Sequence, residues 1–337
     1  MAYTTIDKPT DYFNTVLYTG NGSTNAITGV GFQPDFIWCK ARSIAYDHRV
    51  FNSISGVGKY NDTGNTGGDS SDANSITAFG TDGFTLGSEA GGNASSQTFV
   101  SWNWLGGGTA SSNTDGSITS SVSANTTSGF SIVSYTGTGS ASTIGHSLGV
   151  APKVVLVKNR DGVDVWVMQH GSLADNEFFE FNNTSGKQTD SARFNGTAPT
   201  STVFSVGTSG TTNGNTEKFI AYCFAEKKGF SRFGSYVGNG SNDGSYIHLG
   251  FKPAMVIVKQ SNTARNWLMM DNKRNEFNDV DKFLKANTSD VEGTTTLVDF
   301  TSNGFKCRTT DTGVNESGGT YIYMAFAENP FVTSTGI

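Results

Sequence analysis

Short apolar runs separated by glycine-rich polar turns repeat along the whole chain. The segments Val154-Val155-Leu156-Val157 and Val256-Ile257-Val258 are unbroken and mostly β-branched, a pattern that suits strands buried on both faces. No window of about 12 residues carries apolar positions at i, i+3, i+4 and i+7, the signature of an amphipathic helix. A helical turn is expected only around Lys227-Lys228-Gly229 and in the polar stretch from Asp271 to Lys285. The pattern therefore predicts an all-β protein of short strands.

The runs fall into three copies of one larger unit. The copies open with Tyr18-Thr19-Gly20-Asn21-Gly22-Ser23, Tyr135-Thr136-Gly137-Thr138-Gly139-Ser140 and Tyr236-Val237-Gly238-Asn239-Gly240-Ser241. Each then shows a glycine, a spacer and a proline (Gly31 to Pro34, Gly149 to Pro152, Gly250 to Pro253), followed by an apolar stretch ending on Lys40, Lys158 or Lys259. Proline fixes φ and donates no ladder hydrogen bond, so it marks the entry to that strand. The copies close on Phe99 to Trp104, Phe219 to Glu226 and Tyr321 to Glu328. A period of about a hundred residues is the size of a small domain and too long for a solenoid repeat.

The expected organisation is three tandem homologous β-sandwich or jelly-roll-like domains. An N-terminal arm covers 1–15, because Asp7-Lys8-Pro9-Thr10-Asp11 offers nothing to bury. Repeat 1 covers 16–108, a Ser/Thr/Gly-rich linker or loop 109–128, repeat 2 129–228 and repeat 3 229–337. With 42 glycines and 12% aromatic residues, turns such as Gly83-Phe84, Gly129-Phe130 and Gly304-Phe305 deliver aromatics into strands. At a fixed distance beyond the strand-ending lysine stand Trp166 and Trp267, with His48 in the first copy. A buried tryptophan packing one repeat is the expected role, with a ligand platform as the other reading.

A formal net charge of −6 argues against nucleic acid as a partner. No apolar run is long enough to span a membrane as a helix, and the first residues show no ordinary secretion signal. Cys39, Cys223 and Cys307, one per copy, read as small buried hydrophobes. His48, His146, His170 and His248 lack metal-ligand spacing, and His146 and His248, in equivalent loops, read as surface positions. Loops 61–65 and 309–313 each hold a single carboxylate, short of a calcium site. No nucleophile elbow or phosphate loop is present, so no catalytic residue, cofactor or metal is expected.

The segments Tyr-Thr-Gly-Asn-Gly-Ser, Gly-Phe-Gln-Pro-Asp, Asp82-Gly83-Phe84-Thr85-Leu86-Gly87, Trp102-Asn103-Trp104 and Gly318 to Phe331 together resemble a family of repeat-containing structural proteins of tailed bacteriophages, frequent in marine phages. The resemblance implies a virion component, assembled in the host cytoplasm, whose partners are other virion proteins. A tail appendage or fibre module would also touch a host-surface glycan or protein, with Tyr46, Tyr60 and Trp166 as candidate stacking aromatics. A capsid decoration would contact virion proteins alone. A polysaccharide-trimming enzyme is the third class, and it lacks the short β-helix repeat expected of many tail enzymes. Three copies in one chain also suggest an arrangement on or around a threefold axis.

Overall fold

The computed structural model describes residues 4–330, and all of its sheets are antiparallel. In each repeat the strand that closes the unit lies between the strand that opens it and the proline-led strand. In repeat 1, Thr98–Trp104 pairs with Phe13–Thr19 on one side and Phe36–Ala41 on the other. Lys218–Phe224 does the same between Phe130–Thr136 and Val154–Asn159, and Thr320–Pro330 between Ser231–Val237 and Phe251–Gln260. The sheets continue through Arg49–Asn52, Val167–His170 and Leu268–Asp271.

Alternate residues of these strands face two different cores, which explains their continuous apolar reading. From the closing strand of repeat 1, Val100, Trp102 and Trp104 point into a core shared by all three repeats, while Phe99 points into a core private to repeat 1. Repeats 2 and 3 have their own private cores on the outer sides of their sheets. A short second sheet covers each outer side: Asn25–Thr28, Gly83–Leu86 and Ile76–Gly80 in repeat 1, and Ser142–Gly145 with Val203–Val206 in repeat 2. In repeat 3 the equivalent strands continue the main sheet, giving one eight-stranded sheet that bends round its core.

Three sheets therefore surround one axis. The equivalent residues Trp104, Phe224 and Phe326 meet there as a triangle, with ring centroids 5.3, 5.8 and 6.2 Å apart. Phe13 stacks on Phe326 at 5.2 Å, and Ile6 joins the same core. The segment expected to be a free arm thus plugs the base of the shared core, with Pro9 buried as well.

Neighbouring repeats are tied in one rotational sense. Lys158 of repeat 2 donates to Thr66 O of repeat 1 (2.9 Å), Lys259 of repeat 3 to Thr184 O of repeat 2 (2.9 Å), and Lys40 of repeat 1 to Ser289 O of repeat 3 (3.2 Å). Backbone amides follow the same cycle: Asp69 N donates to Arg160 O, Lys187 N to Ser261 O and Glu292 N to Arg42 O. The ion pairs Arg160–Asp69 (2.7 Å) and Arg42–Glu292 (2.9 Å) reinforce two of the seams.

Several sequence expectations change. The 109–128 segment is not a linker, because Ser111–Asn113 and Ser120–Asn125 extend the sheet of repeat 2. Its Ser/Thr composition reflects a short exposed edge strand, Ser111–Asn113, and a neighbouring strand, Ser120–Asn125, that is only partly buried. Lys227 and Ser231 form an isolated β-bridge, and the 271–285 stretch ends in the strand Val280–Lys285. The α-helices described are single turns, at Ala90–Asn93, Ser191–Phe194 and Gly210–Asn213. Residues 1–3 of the expected arm and 331–337 of the third repeat lie outside the described residues.

Candidate functional site

Three equivalent exposed turns form one end of the molecule, at the start of the closing strands and opposite the Trp104–Phe224–Phe326 base. A fully buried asparagine holds each. Asn93 Nδ2 donates to Ser23 O and Gly87 O while its Oδ1 accepts from Asn21 N. Asn213 does this with Ser140 O, Gly207 O and Thr138 N, and Asn315 with Ser241 O, Thr309 O and Asn239 N. The opening tyrosines are structural too. Tyr18 stacks on Phe99 (5.1 Å), Tyr135 on Phe219 (5.2 Å) and Tyr236 on Tyr321 (4.9 Å). Their hydroxyls donate to Gly92 O, Thr212 O and Val314 O. The second loop glycine of each copy, Gly22, Gly139 or Gly240, has φ between 65° and 70°, which non-glycine residues rarely adopt.

Beside these turns lies a position that the three repeats fill differently. In repeat 1 the Arg49 guanidinium sits 4.6 Å above the Tyr60 ring and pairs with Asp62 and with Glu89 (3.0 Å). Burial works against the charge on Arg49, but the Glu89 hydrogen bond and the field of Asp62 outweigh it and raise its pKa. Burial also raises Asp62, with Arg49 opposing. In repeat 2 a different arginine, Arg193, reaches the equivalent ring of Phe178 at 5.1 Å and donates to Ser209 Oγ at 3.0 Å. Glu89 and Ser209 are the N-caps of equivalent single turns. Repeat 3 keeps the ring as Phe283 and an acidic cap-equivalent residue as Asp311, but Leu268 replaces Arg49 and Lys285 replaces Asp62. These residues line an open cleft of about 190 Å³ with Arg265 and Thr295.

The sequence candidates separate in space. Trp166 is fully buried in the shared core and donates its indole N–H to Asp62 O of repeat 1 (2.9 Å), so it offers no platform to solvent. His48 makes the equivalent contact: its Nδ1 accepts from Trp38 Nε1 (2.8 Å), leaving Nε2–H to donate to Lys285 O (3.0 Å). The tryptophan position thus packs a seam between repeats, beyond packing its own repeat. Tyr46 and Tyr60 are half-buried against the private core of repeat 1, and Arg49 covers Tyr60. His146, expected at the surface, is buried and accepts from Leu148 N (3.2 Å), whereas His248 is exposed. The three cysteines are buried and unpaired.

Sequence reasoning missed two features. One is the buried asparagine at a fixed spacing ahead of each closing aromatic, which lining up the three copies reveals. The other is the arginine–aromatic–cap position, which only the fold assembles. Burial pulls Lys40 and Lys158 down to about 8 and Lys259 to about 7, but each ammonium is occupied by backbone carbonyls at a seam. Among the described residues, no group of three or more His, Cys, Asp or Glu side chains is placed to hold a metal ion.

The family model described as a domain of unknown function, DUF7483, matches residues 8–330. The chain belongs to the DUF7483 family. That match begins in the buried plug and ends with the last closing strand, so the DUF7483 unit contains all three repeats and every seam described above. Comparison with curated proteins gave no match, and comparison with solved structures gave none.

Proposed function

We propose that this DUF7483 chain is a non-enzymatic structural module of a tailed-phage particle, a surface-exposed tail appendage that contributes to host attachment. We read its architecture as three tandem copies of one β-sandwich-like unit fused into a single body. The observation that carries the proposal is the polarity of the molecule. Asp7 to Thr10 and Glu328 with Asn329 line one cleft of about 310 Å³ at the base, while the three polar turns project at the other end. Tethering through the base leaves the turns and the adjacent cleft of repeat 3 facing outward. The buried polar groups support a scaffold role, since the lysines, the asparagines, His48 and Trp166 are committed to holding turns and seams.

The test is antibody labelling of purified virions viewed by electron microscopy, with an assay for reducing sugar released from host envelope material. Label on the tail tip or fibres supports attachment. Label spread over the head replaces it with a capsid-decorating role. Particles without label, or release of reducing sugar, would overturn the proposal.

A further inference from the structure

The cleft of repeat 3 is the place where this molecule has left a binding position open. In repeats 1 and 2 two arginines from unrelated sequence positions, Arg49 and Arg193, hold their planar guanidinium over the equivalent ring and bond to the equivalent cap side chain. Such independent filling shows that the position takes a flat, hydrogen-bonding group. Repeat 3 retains the ring and the cap carboxylate but has no arginine over Phe283, and Leu268 is too short to replace one. Leu268 is buried while Phe283 is only partly buried against the repeat 3 core, and its ring lines the cleft as an aromatic floor.

The charges around it select the occupant. Asp311 accepts from Gly313 N through Oδ1 (2.6 Å) and forms no ion pair among the described residues, which leaves Oδ2 for a donor. Facing it are Arg265, which donates to Thr312 Oγ1 (3.1 Å) and Ala264 O (3.1 Å), and Lys285, paired with Asp290 at 2.7 Å. A cation seated on Phe283 would meet two like charges where Arg49 meets Asp62. An anion would meet Asp311. A neutral ring with an apolar face and several hydroxyls can stack on Phe283, donate to Asp311 and accept from Arg265 and Lys285. At about 190 Å³ the cleft is below the range of about 300–1,000 Å³ typical of drug-sized ligands, so it fits a single ring.

We propose that the repeat 3 cleft binds one neutral pyranose unit of a glycan, with Phe283 as stacking floor and Asp311, Arg265 and Lys285 as hydroxyl partners. This deepens the attachment reading and rests on it.

The test is saturation-transfer NMR on the full chain with a panel of neutral hexoses and N-acetylhexosamines, and arginine methyl ester as a cationic competitor. Three proteins are compared: wild type, Phe283→Ala, and the double variant Leu268→Arg with Lys285→Asp. The double variant rebuilds the Arg49–Asp62 pair of repeat 1 and fills the cleft from within. Thermal unfolding of each variant confirms its fold. Binding of at least one sugar by wild type, weakened at least tenfold in both variants, supports the site. No saturated sugar, binding that survives in the folded double variant, or preference for arginine methyl ester would overturn it. These outcomes are independent of where antibody labels the virion, so failure of the sugar site and failure of the virion reading are distinguishable.

Discussion

Phe224 sits on the axis where the three sheets meet, so Phe224→Ala tests whether the repeats are one body or three. The ring lies 6.2 Å from Trp104 of repeat 1, 5.8 Å from Phe326 of repeat 3 and 4.9 Å from Phe130 of its own repeat. It is 5% exposed. Truncating a buried phenylalanine costs about 3–5 kcal/mol through lost transfer energy and the cavity left behind. Because three of the lost ring contacts, to Trp104, Phe233 and Phe326, are to other repeats, that destabilisation should appear in all three. The expected result in guanidinium is a lower midpoint with unchanged slope and a single transition. Peptide-resolved hydrogen exchange should show strands 36–41, 154–159 and 251–260 losing protection together. Faster exchange in strand 154–159, with strands 36–41 and 251–260 retaining wild-type protection, would refute the shared-core reasoning.

Three further outcomes follow from buried polar groups. His170 is held neutral, its Nδ1 accepting from Ser172 N and its Nε2–H donating to Tyr323 O. Burial, with Lys153 nearby, lowers its pKa from 6.5 to about 4. The unfolded chain then binds a proton that the fold refuses, so stability should fall by roughly 3 kcal/mol as pH drops from about 6.5 to about 4. Denaturation at pH 7.5 and 4.5 measures this, and His170→Gln should flatten the slope. The slope keeps the same sign on the alkaline side: Lys259 loses its proton near 7 in the fold and near 10.5 when unfolded, so stability should rise between about pH 7 and 9, and an equally steep rise in Lys259→Met would contradict this. Above about pH 9 the buried Cys39 and Cys223 thiols, pushed up to about 12, oppose that gain. Asn213→Ala removes the bonds to Ser140 O, Gly207 O and Thr138 N, leaving three backbone groups to find other partners. It should cost roughly 2–4 kcal/mol and speed hydrogen exchange of the 137–141 turn, and unchanged exchange there would contradict the holding role.

What the sequence made readable, and what it hid, follows from where each signal is satisfied. The copies, the proline-led strands and the all-β class are local patterns, and the valine runs 154–157 and 256–258 are as buried as their composition implies. Lys40, Lys158 and Lys259 looked like polar strand ends, because an isolated lysine is rarely buried. They are buried because one of the acceptors of each belongs to another repeat, between 75 and 249 residues away in sequence. The same distance hid Trp166, whose N–H partner is Asp62 O, and made the plug formed by Ile6, Pro9 and Phe13 read as an arm. Residues 109–128 read as a linker because their two strands, the edge strand Ser111–Asn113 and its neighbour Ser120–Asn125, carry few apolar residues. On the three-copy reading proposed above, these contacts also limit the copy number. Repeat 2 clasps repeat 1 and repeat 3 clasps repeat 2, as in any stack, but Lys40 and His48 of repeat 1 clasp Ser289 and Lys285 of repeat 3. An open solenoid adds a repeat at its end without breaking an interface. A closed ring cannot, since a fourth copy would have to open the Lys40–Ser289 seam and enlarge a core whose axis is filled by three touching rings.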